Sequence, residues 1–183
     1  MPNIRLPDGK QIQVEAGKTY SQICADISPS LRKKTVVAKV NGKLTDLSKV
    51  IEQDCDLTFV TFDDPEAFEV LNHSSAHLLA QAVRRLYPDV WFWVGPPIDE
   101  GFYYDMDLHD KVLNDEDLAV IEKEMKKIVE AGGAKIEQKY VTKKEALEIF
   151  KANPYKIELI ENLPPEEKIG IYSQGEFTDL CRG

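Results

Sequence analysis

Two of the three histidines in this 183-residue chain, His73 and His77, stand four residues apart within His73-Ser74-Ser75-Ala76-His77. On a helix, residues at that spacing share a face, with Cβ atoms about 6 Å apart. The pair suits one metal ion, or one substrate group held by both rings. It equally suits a polar helix surface. The residue after His73 is Ser74, so the His-Glu-x-x-His pattern and its general base are absent. His109 lies in the polar stretch 107–110 and is expected in solvent. Near the far end, Asp179 and Cys181 offer a carboxylate and a thiol. Lys156 follows Pro154 and Tyr155, where a lone lysine is by default a surface residue. The cysteines (Cys24, Cys55, Cys181) are odd in number and widely spaced, which argues against a disulfide framework and for a reducing cytoplasm. Cys24 sits between Ile23 and Ala25, and Cys55 between two aspartates whose charges oppose a thiolate. Both read as inert thiols.

The elements that must position these groups follow from periodicity. Pro65 opens a helix that stops before Pro88, with Phe68, Leu71, Leu78, Ala82 and Leu86 as its apolar face. Val90 to Val94 and Gly101 to Asp105 flank a Gly/Pro loop and read as a hairpin with a long connection. Gly95 and Gly101 there would let backbone approach a ligand, as in a pocket wall. Asn114 caps a helix ending at Gly132-Gly133, residues 135–141 form a strand, and Thr142-x-x-Glu145 opens a helix that Pro154 closes. Ile169 to Cys181 reads as strands joined at Gly175. The first 62 residues contain a hairpin around Asp8-Gly9, a short helix capped by Thr19 or Ser21 and followed by Pro29, a strand at 36–40, a turn at Asn41-Gly42 and a strand at 57–62. That order predicts a β-grasp, ubiquitin-like fold.

Charge marks the same division. Residues 1–62 carry a net +2 and residues 63–183 a net −11, with the step at Asp63-Asp64-Pro65. Two units are expected, 1–62 and 63–183. No apolar run approaches the roughly 20 residues that cross a bilayer, and no secretory leader is apparent. The overall −9 argues against bulk phosphate binding. It leaves room for a local basic patch from Lys156, Arg182 or Arg84-Arg85, with weak, salt-sensitive RNA binding.

The His73-to-His77 stretch, Gly95-Pro96-Pro97-Ile98-Asp99-Glu100-Gly101-Phe102-Tyr103-Tyr104-Asp105, and Asp179-Leu180-Cys181-Arg182-Gly183 together resemble bacterial threonyl-tRNA synthetases. The first unit is similar to their TGS domain. The second resembles their editing domain, a type shared with alanyl-tRNA synthetases. The resemblance implies an α+β chain in which a small β-grasp domain precedes a larger α+β editing domain. It implies hydrolysis of the ester of mischarged Ser-tRNA(Thr), with His73 and Lys156 as the catalytic pair. His77, Tyr104, Asp179 and Cys181 would line the substrate pocket, Asp179 being suited to the serine ammonium. His73, His77 and Cys181 match three zinc ligands of the alanyl type, but the resemblance implies no required metal and no cofactor for editing. ATP, Mg and Zn would serve only an aminoacylation domain. The implied partner is the acceptor end of tRNA(Thr) carrying serine. A full-length enzyme would be a homodimer that ligates threonine to tRNA(Thr), and this chain could be a monomer. The family pattern continues Cys-x-x-x-His, whereas this sequence stops two residues after Cys181, so the editing domain is expected to be cut short. A stand-alone hydrolase editing in trans, and a non-catalytic TGS-type interaction module, stand as alternatives.

Overall fold

A computed structural model of the chain describes residues 1–95, 97–98, 100–132 and 136–181. The chain forms two compact units, 1–72 and 73–183. The first contains β1 (Asn3–Arg5), β2 (Gln11–Gln13), α1 (Tyr20–Ile27), α2 (Pro29–Lys34), β3 (Thr35–Val40), β4 (Lys43–Thr45) and β5 (Cys55–Thr61). Asn41 and Gly42 take φ values of 49° and 82°. Two successive left-handed residues are what a tight hairpin turn between twisted strands requires. The sheet order is β2-β1-β5-β3-β4, with β1 and β5 parallel and the other pairs antiparallel. Tyr20 and Ile23 of α1 pack with Ile4, Ala38 and Leu57 of the sheet, completing a β-grasp-like core. Thr19 and Gln22 cap α1 reciprocally. Pro29 lies beyond the end of α1, as expected, and also opens α2: Ser28 caps that helix, and a proline at the first helical position gives up no intrahelical hydrogen bond.

Asp64 accepts from the Thr61 backbone N–H, and Pro65 opens α3 (Pro65–Leu86), which runs through the division at 72/73. The second unit continues with β6 (Trp91–Phe92) paired to β9 (Met106–Asp107). Between them lies a smaller ribbon, β7 (Pro97–Ile98) with β8 (Gly101–Phe102). The predicted hairpin is thus two nested ribbons. α4 (Asp115–Glu130) carries a capping box from Asn114 and Asp117. An antiparallel sheet, β10 (Ile136–Val141), β11 (Ile169–Gln174) and β12 (Phe177–Leu180), follows the order β10-β11-β12. α5 (Lys143–Ile149) and α6 (Pro154–Glu161) connect β10 to β11. Pro96, Asp99, Gly133 and Lys135, each named in a sequence reading, lie outside the described residues.

Two expectations are corrected. Pro154 does not close a helix. α5 ends before Phe150, and Pro154 starts α6 behind the cap residue Asn153. The α3 face is corrected in part: Leu78, Ala82 and Leu86 pack in the core as expected, but Phe68 and Leu71 are exposed, and Ala76, His77, Ala80, Gln81 and Val83 are buried as well. Small alanines let neighbouring elements approach that face closely, and its polar members are buried because each finds a partner. No helix among the described residues is long and apolar enough to cross a membrane.

Candidate functional site

Strand alternation builds one wall. Phe177 and Asp179 are the buried positions of β12. Cys181 continues that phase, its N–H bonding to Gly170 O at 3.1 Å. A Cβ on Gly170 would lie 2.6 Å from Cys181 O, so only glycine lets the strand end sit there. Facing this wall is the four-residue repeat His73, His77, Gln81 of α3. His73 Nε2 lies 2.8 Å from Cys181 Sγ, His77 Nε2 lies 3.2 Å from His73 Nε2, and Gln81 Oε1 accepts from Gln174 at 3.0 Å. Tyr172 of β11 closes the group, its ring 5.8 Å from His73 and 5.7 Å from His77.

The second wall is the start of α6. Asn153 accepts from the backbone N–H groups of Tyr155 and Lys156 and donates to Phe92 O at 2.8 Å. This aims Lys156 into the interior, where it is only 2% exposed. Its Nζ sits 2.6 Å from Asp179 Oδ1 and donates to Trp93 O at 2.6 Å. Asp179 is 3% exposed; its Oδ1 accepts from Leu180 N, and its Oδ2 from the Tyr104 hydroxyl. The Tyr104 ring fits only because residue 95 is glycine, since a Cβ there would meet the ring at 2.5 Å. Gly101, the other glycine expected at a pocket wall, has a φ of 156° and no atom within 4 Å of where its Cβ would lie.

Burial decides the charge states. It pushes Lys156 down to about 7, opposed by its electrostatic interaction with Cys181. It pushes Asp179 up to about 8, opposed by the Leu180 N–H and the charge of Arg84. Burial drives both partners toward neutrality, and their contact couples the two titrations. His77 falls to about 4, first through burial and then through the charges of His73 and Lys156. It is therefore a neutral imidazole at pH 7.

The donor atoms of His73, His77 and Cys181 lie within 4.8 Å of one another. Two imidazoles and a thiol are a chemically suitable set for zinc, with a fourth position open. In this structure His73 and Cys181 are drawn together as a hydrogen-bonded pair.

All six residues singled out in the sequence thus lie in the second unit, in two linked groups: His73, His77 and Cys181, and Lys156, Asp179 and Tyr104. Lys156 is a buried ion-pair member rather than a surface residue, because Asp179 and the Trp93 carbonyl satisfy it. His109 is exposed as expected. Of the basic residues expected to form a patch, Arg85 pairs with Glu124 and Glu176, and Arg182 lies outside the described residues. Sequence reasoning missed Asn153, Tyr172 and the Gln81–Gln174 pair. Only Asn153 left a signal, an Asn-Pro step fit for a helix start. In the first unit, burial pushes the thiols of Cys24 and Cys55 up, and the flanking aspartates push Cys55 further.

Residues 2–61 match the TGS domain family. Over 181 residues, 99% of the chain, the sequence is 52% identical to the threonine--tRNA ligase of Staphylococcus carnosus (strain TM300). It is 51% identical to that of Staphylococcus epidermidis (strain RP62A) and 50% to that of Staphylococcus aureus (strain JH9) over the same length. The chain spans 28% of the length of each relative.

Proposed function

We propose, from the homology of this chain to the N-terminal part of threonine--tRNA ligases, that its second unit hydrolyses the ester joining a wrongly attached serine to the terminal ribose of tRNA(Thr). The observation that carries this reading is Lys156: buried, driven toward its neutral amine, and within electrostatic reach of His77 and Cys181. The chemistry has a physical need. One methyl group separates serine from threonine, and a single pocket gains only about 1–3 kcal/mol from it, so a second, hydrolytic site is required for accuracy.

The neutral Lys156 amine accepts a proton from water as the oxygen attacks the ester carbonyl. The tetrahedral intermediate collapses with cleavage of the bond to the ribose oxygen, which leaves with a proton delivered through His73. Free serine and a ribose hydroxyl result. Asp179 is the carboxylate suited to the serine ammonium, which then competes with Lys156 for it. That competition favours the deprotonated amine the reaction needs. Neutral His77 adds no charge to repel the ammonium, and Tyr104 and Cys181 bound the pocket. His73, His77 and Cys181 would be the ligands of any bound zinc ion, which could polarise the ester carbonyl; the proposed hydrolysis uses none, nor any other cofactor. ATP, Mg and Zn would belong to the ligase reaction of a longer protein, and so would a homodimer.

The test is deacylation of Ser-tRNA(Thr) against Thr-tRNA(Thr). The wild-type chain releases serine selectively, at a rate rising with pH through about 7 as Lys156 loses its proton. Lys156→Ala and His73→Ala each slow it by roughly 100-fold or more, and a chelator changes nothing. Near wild-type rates in both variants overturn the assignment. Loss to chelator with recovery on added zinc transfers the chemistry to a metal.

A further inference from the structure

Alternation along β6 sends Phe92 into the core and leaves Trp91 and Trp93 on the other side. There they join a row of rings. His109 and Trp91 are perpendicular at 4.5 Å, Trp91 and Tyr155 lie 6.2 Å apart, and Tyr155 and Trp93 lie 6.2 Å apart at 31°. Tyr155 is fixed by its hydroxyl, which donates to Asp107 at 2.8 Å. Trp93 remains 43% exposed, a large flat apolar surface that the core does not use.

The two ends of the row differ. At one end the Trp93 carbonyl accepts from Lys156 Nζ, and Tyr155 directly precedes Lys156, so the rings reach the edge of the proposed hydrolytic site. At the other, Trp91 and His109 line a cleft of about 450 Å³ shared with Arg84, Asp89 and Asn153. Arg84 Nε is buried there without a hydrogen-bond partner among the described residues, and its guanidinium lies 5.2 Å above the Phe92 ring. Aromatic faces in series with a cation are the recognition chemistry of unpaired nucleic acid: bases stack on rings, and a phosphate takes the cation.

We infer that this row of rings binds the single-stranded 3′ end of the RNA, with the terminal base on Trp93 and Tyr155 and an upstream phosphate at Arg84. The inference rests on the hydrolytic reading, which places the terminal ribose ester at Lys156. Asp107 is occupied by Tyr155 and by the His109 N–H, while Asp89 faces the same cleft as Arg84. Binding is accordingly weak and salt-sensitive.

Trp91 and Trp93 are the only tryptophans of the chain, so its intrinsic tryptophan fluorescence reports on this row alone. An unacylated short RNA ending in CCA quenches that emission saturably at low salt, and the same strand annealed to its complement does not. By anisotropy of the labelled strand, Trp93→Ala weakens binding at least about five-fold and Trp93→Phe about two-fold or less. Arg84→Gln lowers the salt slope by about one. Absence of saturable quenching, or equal affinity of Trp93→Ala and wild type, overturns the inference. Serine-ester hydrolysis without strand binding removes the row and leaves the proposed reaction standing. Trp93-dependent strand binding without hydrolysis removes the reaction and leaves the row.

Discussion

The two units bury different kinds of residue. In the first, the buried side chains are apolar apart from Thr35, and charge stays outside in pairs such as Arg5–Asp56 and Lys18–Asp26. In the second, Lys156, Asp179, His77, Gln81, Gln174 and Asn153 are all buried. Taking polar groups out of water costs free energy unless every one is bonded, so apolar burial is the more economical route to stability alone. The contrast locates chemistry in the second unit, where the network of Lys156, Asp179 and Tyr104 accepts that cost.

The sharpest way to break the contrast is at its centre. Lys156→Ala leaves Asp179 buried without its counter-ion and should lower stability by about 3–5 kcal/mol, read from denaturant midpoints. Lys156→Met combined with Asp179→Asn removes both charges, and most of that loss should return while serine-ester hydrolysis stays absent. Return of hydrolysis in the double variant would show that the pair serves folding alone.

The next effect belongs to His77. Its folded value, about 4, lies below the ordinary 6.5, so between those values the unfolded chain binds more protons. Stability therefore rises with pH across that window and falls as the solution is acidified from 6.5 to 4. The loss is at most roughly 3 kcal/mol, at 1.36 kcal/mol per unit. His77→Gln should remove this component, which urea denaturation at a series of pH values measures as the difference between the two proteins.

The smallest effect should come from the first unit. Arg5 and Asp56 meet at 2.6 Å, yet both side chains are more than half exposed. Water already solvates them and salt screens them. Arg5→Ala should leave both the unfolding midpoint and hydrolysis unchanged. A clear drop in the midpoint would mean that the first unit also depends on charge pairing.

Much of the fold is local and legible in the sequence. The turns at Asp8-Gly9 and Asn41-Gly42, the caps at Thr19, Asn114 and Thr142, and the two strands around Gly175 are governed by neighbours within a few residues. The failure at Pro154 has a local cause. It reads as a stop, but proline is equally at home in the first turn of a helix, and the capping residue before it, Asn153, decides which. On α3, hydrophobicity finds Leu78, Ala82 and Leu86 but misses His77 and Gln81, because a partnered polar side chain buries as well as a leucine does.

The sequence by itself determined most of the elements, the inert environment of Cys55 between two aspartates, and, through its family resemblance, the candidate set His73, His77, Tyr104, Lys156, Asp179 and Cys181. Tertiary structure alone decided that Lys156 points inward, that Asp179 and Trp93 O receive it, that Gly95 makes room for Tyr104, and that Tyr172 closes the histidine pair. A side chain's charge state and partners depend on what lies within a few ångströms in space. For Lys156 and Asp179 the partners other than the Leu180 N–H are 23 residues apart in the chain or farther, beyond the reach of any local pattern.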